Sequence, residues 1–190
     1  MSLTVEKCIE GWTNSLRQLR IKADIVFFGD SLTYYGDFAQ LFPNSVVCNL
    51  GLRGDTIQCM IDRLEQVMIL GPKVVYLMSG INDVGNKTVD EFESAYSKLV
   101  SSFLQGLKDV KLIIQSMLPV NSENFRISCN NNEIKSCNLR IERIAKDNGL
   151  EFLDLFTLYE DDGQLPLAFT RDGIHLVPGA YEKWYNSIKK

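Results

Sequence analysis

The sequence predicts an α/β fold, a three-layer α/β/α sandwich built on a parallel sheet. Two observations carry this reading. Five short apolar runs recur along the 190 residues, and they are nearly continuous in β-branched and aromatic side chains rather than alternating. Strands of that kind are buried on both faces. Between the runs lie longer stretches whose apolar residues repeat at helical spacing, which supplies the covering layers.

The elements follow in order. Residues 5–19 read as a helix, then Ile25-Val26-Phe27-Phe28 as the first strand and Ser45-Val46-Val47-Cys48 as the second. Residues 56–70 read as one helix with Ile57, Met60, Ile61, Leu64, Val67 and Met68 on its apolar face. Asp55 stands ready to cap it, with Gln58 in capping-box register, and Gly71-Pro72 stops it. The run 73–78 is the third strand. The stretch 89–107 is helical through Phe92, Tyr96, Leu99, Val100 and Phe103. Lys111-Leu112-Ile113-Ile114 is the fourth strand. Residues 133–148 are helical through Ile134, Leu139, Ile141 and Ile144 and end at Gly149. Leu150-Glu151-Phe152-Leu153 is the fifth strand, and 179–188 a last helix. The longest irregular stretches are 119–132 and 156–172. With no repeat, low-complexity tract or linker, residues 1–190 are expected to form a single domain.

Composition excludes several classes. The charge of −4 argues against a nucleic-acid footprint and gives no cationic face for acidic membranes. No apolar run is long enough to span a bilayer. The first twenty residues carry charges and no apolar leader core, which predicts a cytoplasmic protein. A leader trimmed ahead of Met1-Ser2-Leu3 would instead imply a secreted or periplasmic one. The cysteines at 8, 48, 59, 129 and 137 show no metal-ligand spacing and read as free thiols. Cys129 with Cys137 is the one local disulfide pairing to check.

In a sheet of this kind ligands bind beyond the carboxyl ends of the strands, so the polar residues there are the candidates. Gly29-Asp30-Ser31 follows the first strand. A serine on a sharp strand-to-helix turn is an exposed nucleophile or a helix N-cap. Gly51 and Gly54 follow the second strand. The Gly51 N–H could face a reacting oxygen, or Gly51 could simply be a loop glycine. Gly80-Ile81-Asn82-Asp83 follows the third, where the Asn82 amide is an oxyanion donor or a turn residue and Asp83 a structural acceptor. Near the C-terminus stands Asp172-Gly173-Ile174-His175. His175 is the only histidine in the chain, so any histidine chemistry within one subunit uses it. Asp172, three residues earlier, can hold one ring nitrogen while the other faces a serine. One histidine and scattered carboxylates match no zinc ligand set, and no metal or cofactor is expected.

Taken in order, Gly29-Asp30-Ser31-Leu32, Asn49-x-Gly51-x-x-Gly54-x-Thr56, Gly80-x-Asn82-Asp83 and Asp172-x-x-His175 resemble the blocks of the SGNH-hydrolase superfamily, also called the GDSL esterase/lipase family. The second block is similar to the platelet-activating-factor acetylhydrolase-like branch, which includes deacetylases of carbohydrates and sialic acids. The resemblance spans residues 25–184. It implies a flavodoxin-like sheet in the order 2-1-3-4-5. It also implies Ser31 as nucleophile, His175 as base and Asp172 as its partner, with the Ser31 and Gly51 N–H groups and the Asn82 side chain as the oxyanion hole.

The function that follows is a serine esterase acting through an acyl-enzyme on small-molecule acyl esters, acetyl esters first among them. Tyr34 and Tyr35 follow the nucleophile and either wall the pocket or stack on a sugar, or else pack in the core; Asp30, Tyr34 and Arg53 are the candidate substrate contacts, and Phe169, Thr170 and Arg171 could reach the cleft. Arg53 would suit an anionic group such as a sialic acid carboxylate, or simply be solvated. Thioesterase, lysophospholipase and peptidase activities share the mechanism. A non-catalytic carbohydrate- or protein-binding domain is the alternative of another class. A flavin site fails because the turn after the first strand lacks the hydroxyl and glycine residues that surround a phosphate. Homo-oligomerisation stays open.

Overall fold

The computed structural model describes residues 5–189; the reading of Met1-Ser2-Leu3 and the side chain of Cys8 lie outside the described residues. The strands are β1 (Ile25–Gly29), β2 (Val47–Gly51), β3 (Val74–Met78), β4 (Lys111–Gln115) and β5 (Glu151–Leu153). They form one sheet in the order β2-β1-β3-β4-β5, every pairing parallel. The strand order is the one the resemblance implied.

The continuous apolar runs are explained by what each face meets. Val26 and Phe28 of β1, Val75 and Leu77 of β3, and Leu112 and Ile114 of β4 enter one buried cluster. The alternate residues Ile25, Phe27, Tyr76, Met78 and Ile113 enter a second cluster on the opposite face. Side chains alternate along a strand, so two cores require apolar residues at every position. The helices α1 (Val5–Leu19), α3 (Ile57–Asp62), α4 (Glu65–Leu70), α5 (Val89–Gly106) and α6 (Asn131–Asp147) follow in the chain. Of these, α3 to α6 supply the first cluster. The second is supplied by α7 (Leu155–Tyr159) and α8 (Tyr181–Ile188), with Trp184 fully buried between them. The short α2 (Ser31–Tyr34) follows β1 directly.

Several expectations are corrected. The helix expected over 56–70 is two helices, α3 and α4, because the chain hitches at Arg63. The Arg63 side chain turns inward there: Nε donates to Asp55 Oδ2 at 2.5 Å and Nη2 to the Gly29 carbonyl at 3.1 Å. The cap of α3 is Thr56, whose hydroxyl accepts from the Cys59 N–H, rather than Asp55, whose carboxylate is taken by Arg63. Met68 lies beyond the hitch and is 36% exposed, while Gln66, Val67 and Leu70 face inward. Leu139 falls off the buried stripe of α6, which runs through Ile134, Cys137, Asn138, Ile141 and Ala145, and it is 64% exposed. The second strand is shifted to Val47–Gly51 and so carries Asn49 itself. Residues 156–172, expected to be irregular, contain most of α7 and a 3₁₀ turn, Leu167–Phe169. Cys129 and Cys137 are free thiols, as are Cys48 and Cys59.

Residues 119–130 are irregular as expected, α6 starting two residues before the expected 133, and the stretch is firmly held. Asn131 Oδ1 accepts from the Val120 N–H while its Nδ2 donates to the Val120 and Gly163 carbonyls. Asn138 holds Met117 at both backbone groups in the same way. Buried loop backbone needs such partners, and the side-chain amide, with a donor and an acceptor, substitutes for a neighbouring strand.

Candidate active site

The switch in strand order places β1 between β2 and β3, with Gly29 in register with both Gly51 and Met78. The chain therefore delivers three loops to one point: residues 30–31 after β1, 52–56 after β2 and 80–83 after β3. Such a switch point is where an open α/β sheet offers a crevice.

Ser31 is the first residue of α2. The cap is not Ser31 but Asp30, whose Oδ1 accepts from the Leu32 N–H at 2.9 Å, so the serine hydroxyl is free of that duty. His175 Nε2 lies 2.8 Å from Ser31 Oγ, and His175 Nδ1 lies 2.7 Å from Asp172 Oδ2. A carboxylate only accepts, so the proton belongs on Nδ1 and Nε2 is left to accept from the serine. The other oxygen of Asp172 accepts from the backbone N–H groups of Ile174 and His175. One side chain thus fixes both the loop and the ring. Partial burial pushes the Asp172 carboxyl up, but the hydrogen bonds from the His175 N–H, the His175 ring and the Ile174 N–H outweigh it and hold the group below the usual carboxylate range.

The spacing of three works because Gly173 sits at φ +87°, with the Asn121 carbonyl 2.9 Å from where a Cβ would lie. The Asn121 N–H donates to the Gly173 carbonyl, which ties the loop to residues 119–132. Thr170 completes the turn: its hydroxyl accepts from the Gly173 N–H and donates to the His175 carbonyl. Thr170 is buried by this work and does not reach the cleft. Phe169 packs on Tyr159 instead, and Arg171 is exposed beside Asp172.

The oxyanion-donor candidates divide. Asn82 lines a cleft of about 170 Å³ with Ser31 and His175, and its Nδ2 spends one hydrogen on the Asp55 carbonyl at 2.8 Å. The second hydrogen remains for a ligand. Asp83 is the structural acceptor expected, holding the Ile57 N–H at the start of α3. The Gly51 N–H, however, donates to Asn49 Oδ1 at 2.8 Å, and Asn49 Nδ2 in turn clamps the Thr33 and Gly36 carbonyls. Gly51 is therefore already engaged. Gly54, three residues on, stands exposed at φ +78° beside the Asp55 carbonyl that Asn82 grips. Among the described residues its N–H has no intramolecular partner. The sequence signal was present as the glycine next to Asp55, but the hydrogen bond that disqualifies Gly51 was not legible.

The three expected substrate contacts also separate. Tyr34 and Arg53 are exposed, with the Arg53 guanidinium 5.9 Å from the Tyr34 ring and bonded to the Tyr35 hydroxyl. Tyr35 presents its face edgewise to His175, with centroids 5.6 Å apart. Asp30 is only 1% exposed and lies beneath the site as the helix cap. It cannot touch a substrate from there. Among the described residues no cluster of His, Cys, Asp or Glu could hold a metal, and no helix is long and apolar enough to cross a membrane.

Burial pushes the Asp30 carboxyl up to about 7, helped by Asp55 and opposed by the Leu32 N–H, His175 and Arg63. Between its ordinary value of 3.8 and about 7, the folded chain holds a proton that the unfolded chain has released. Stability therefore falls as pH rises through that window, by at most about 4 kcal/mol at about 1.4 kcal/mol per unit. Asp30→Asn keeps the capping oxygen and removes the titration. Urea unfolding at pH 5 and pH 8 should show a smaller drop in stability for the variant than for the wild type; equal drops would refute the assignment.

A parallel sheet of this order, with hydroxyl, imidazole and carboxylate in one hydrogen-bonded line at its switch point, has the architecture of an ester-bond hydrolase. Residues 27–183 match the family described as GDSL-like lipase/acylhydrolase, and the chain belongs to that family. It is an enzyme that hydrolyses ester bonds. A Streptococcus pneumonia structure whose name refers to platelet activating factor is 26% identical, with a TM-score of 0.83 over 95% of this chain and 90% of that one. An acetylxylan esterase from Geobacillus stearothermophilus is 18% identical, with a TM-score of 0.71 over 88% and 93%, and shares the fold. An N-acylneuraminate cytidylyltransferase of Streptococcus agalactiae is 24% identical over 149 residues, 74% of this chain. The chain spans 35% of the length of that curated relative.

Proposed function

We propose that the protein is a serine esterase that removes acetyl groups from carbohydrates through an acyl-enzyme. The observation that carries the mechanism is the Ser31–His175–Asp172 line at 2.8 and 2.7 Å. His175 Nε2 takes the Ser31 proton as Oγ attacks the ester carbonyl, and Asp172 stabilises the imidazolium. The tetrahedral oxyanion is held by the Ser31 N–H, the free hydrogen of Asn82 Nδ2 and the Gly54 N–H. His175 then gives its proton to the leaving alcohol. Water, deprotonated by the same ring, attacks the acyl-enzyme and releases the acid. No metal or organic cofactor enters these steps.

Asn82→Ala should lower kcat by roughly 10²–10³, the usual cost of one oxyanion donor. Steady-state hydrolysis of p-nitrophenyl acetate measures it, and a change under threefold would remove Asn82 from the hole.

The small cleft supports a short acyl group. At about 170 Å³, walled by Ile81, Ile127 and Ile174, it is below the range of about 300–1,000 Å³ of ordinary ligand pockets. A p-nitrophenyl ester series from acetate to decanoate should peak at acetate or propionate; a maximum at long chains refutes the proposal. The name of the Geobacillus neighbour supports a carbohydrate alcohol. Arg53, exposed beside Tyr34 and Tyr35, favours a second reading in which the sugar is acidic. The name of the cytidylyltransferase, which refers to N-acylneuraminate, agrees with it. Including neutral and carboxylated acetyl sugars in the same screen separates the two.

A further inference from the structure

A second concavity, of about 480 Å³, is lined by Asp172 and His175 but not by Ser31, and shares only His175 with the smaller cleft. Three segments that are distant in sequence build it: the turn holding Asp37, the start of α8 with Tyr181 and Glu182, and the catalytic loop with Arg171, Asp172 and His175. Its walls are fixed. The Tyr181 hydroxyl donates to the Leu32 carbonyl at 2.7 Å, and the Tyr185 hydroxyl accepts from the Asp37 N–H at 2.7 Å. Tyr35, its ring perpendicular to that of His175, lines the groove beside the imidazole.

We infer that this groove is the subsite for the alcohol half of the substrate and that it takes the uncharged, hydroxyl-rich part of a sugar. The inference rests on the hydrolytic reading above. In that reaction His175 Nε2 protonates the departing alkoxide, so the C–O bond that breaks lies against the imidazole and the alcohol extends on that side. The smaller cleft holds the acyl group, and the groove is the concavity large enough for a sugar ring. Its chemistry is that of a polyol site. Tyrosine rings offer apolar faces, while the carboxylates of Asp37 and Glu182 accept from hydroxyls and the Arg171 guanidinium donates to them. Three carboxylates, Asp37, Asp172 and Glu182, stand against the one guanidinium of Arg171, a balance that repels an anion. Arg53 lies outside the groove, so an acidic group would have to be placed elsewhere.

Asp37 and Glu182 are exposed, and among the described residues their carboxylates form no ion pair or hydrogen bond. Asp37→Ala and Glu182→Ala can therefore be tested in a folded chain, with thermal unfolding as the check. The substrates are the mono-acetates of methyl glucopyranoside, with cyclohexyl acetate as the ring-sized apolar control and p-nitrophenyl acetate as the aryl reference. Free methyl glucopyranoside serves as a competitive inhibitor. The wild type should prefer at least one sugar acetate to cyclohexyl acetate. In each variant the ratio of kcat/KM for that sugar ester to the aryl ester should fall about tenfold, mainly through KM, and inhibition by the free glycoside should weaken in parallel. Ratios and inhibition within twofold of wild type in both variants would overturn the subsite, as would a wild type that cleaves the aryl ester yet shows no sugar preference. A wild type inert towards every ester would instead overturn the hydrolytic reading, and the groove's role with it.

Discussion

Ser31→Ala is expected to lower kcat for p-nitrophenyl acetate on the order of 10⁶-fold, the scale on which a serine-based relay collapses when its nucleophile is lost. The fold should survive. Ser31 does not cap α2, since the Leu32 N–H is held by Asp30, and the one side-chain bond recorded for its hydroxyl is to His175 Nε2. Removing Oγ costs a single exchangeable hydrogen bond, worth about 1 kcal/mol. A fluorophosphonate probe should label the wild type on Ser31 and leave the variant unlabelled. Turnover within tenfold of wild type would sink the covalent mechanism. Failure of the wild type to label would point to the non-catalytic binding domain instead.

Asp172→Asn should lower kcat by about 10³–10⁴. The amide oxygen can still accept from the Ile174 and His175 N–H groups, so the loop is kept. The amide nitrogen then faces His175 Nδ1 and, as a donor, requires that nitrogen to accept. The ring proton moves to Nε2, where it blocks transfer from Ser31. The lower end of the range is favoured because the Asp172 side chain is 53% exposed, and water shares the work of stabilising the imidazolium. Recognition of the acyl group should change little, since Asp172 does not line the acyl cleft. A drop in kcat below tenfold would mean that the loop alone orients the ring.

The fold was legible because two cores demand it. A strand with one solvated face would have alternated, whereas Val26-Phe27-Phe28 is apolar throughout, its residues dividing between the two clusters. The hitch at Arg63 was not legible, because the apolar repeat over 57–70 is compatible with one helix and the reason to break it lies across space, at the Gly29 carbonyl and Asp55. In the site, a lone histidine with an aspartate three residues before it reduced the choices to one pair, and the structure brings that pair onto Ser31. The glycine donor was misassigned for a different reason. Asn49 and Gly51 both looked free in the sequence, but they stand two apart on β2, on one side of the strand, and Asn49 Oδ1 takes the Gly51 N–H. Asp30 was misplaced in the same way. Its position beside the serine suggested contact with substrate, while the turn of the backbone sends its carboxylate under the helix.

The relay joins residues 144 positions apart. As a chain emerges from the ribosome, amino end first, the hydroxyl of Ser31 is present long before the imidazole that would activate it. Docking of α8 comes later still, and the Tyr181 hydroxyl on the Leu32 carbonyl and the Trp184 N–H on the Tyr159 hydroxyl are what lock it to the rest. A nascent chain is thus unarmed for most of its synthesis. Acquisition of esterase activity would report the meeting of two segments far apart in the sequence, which makes turnover itself a clock for a late step of folding.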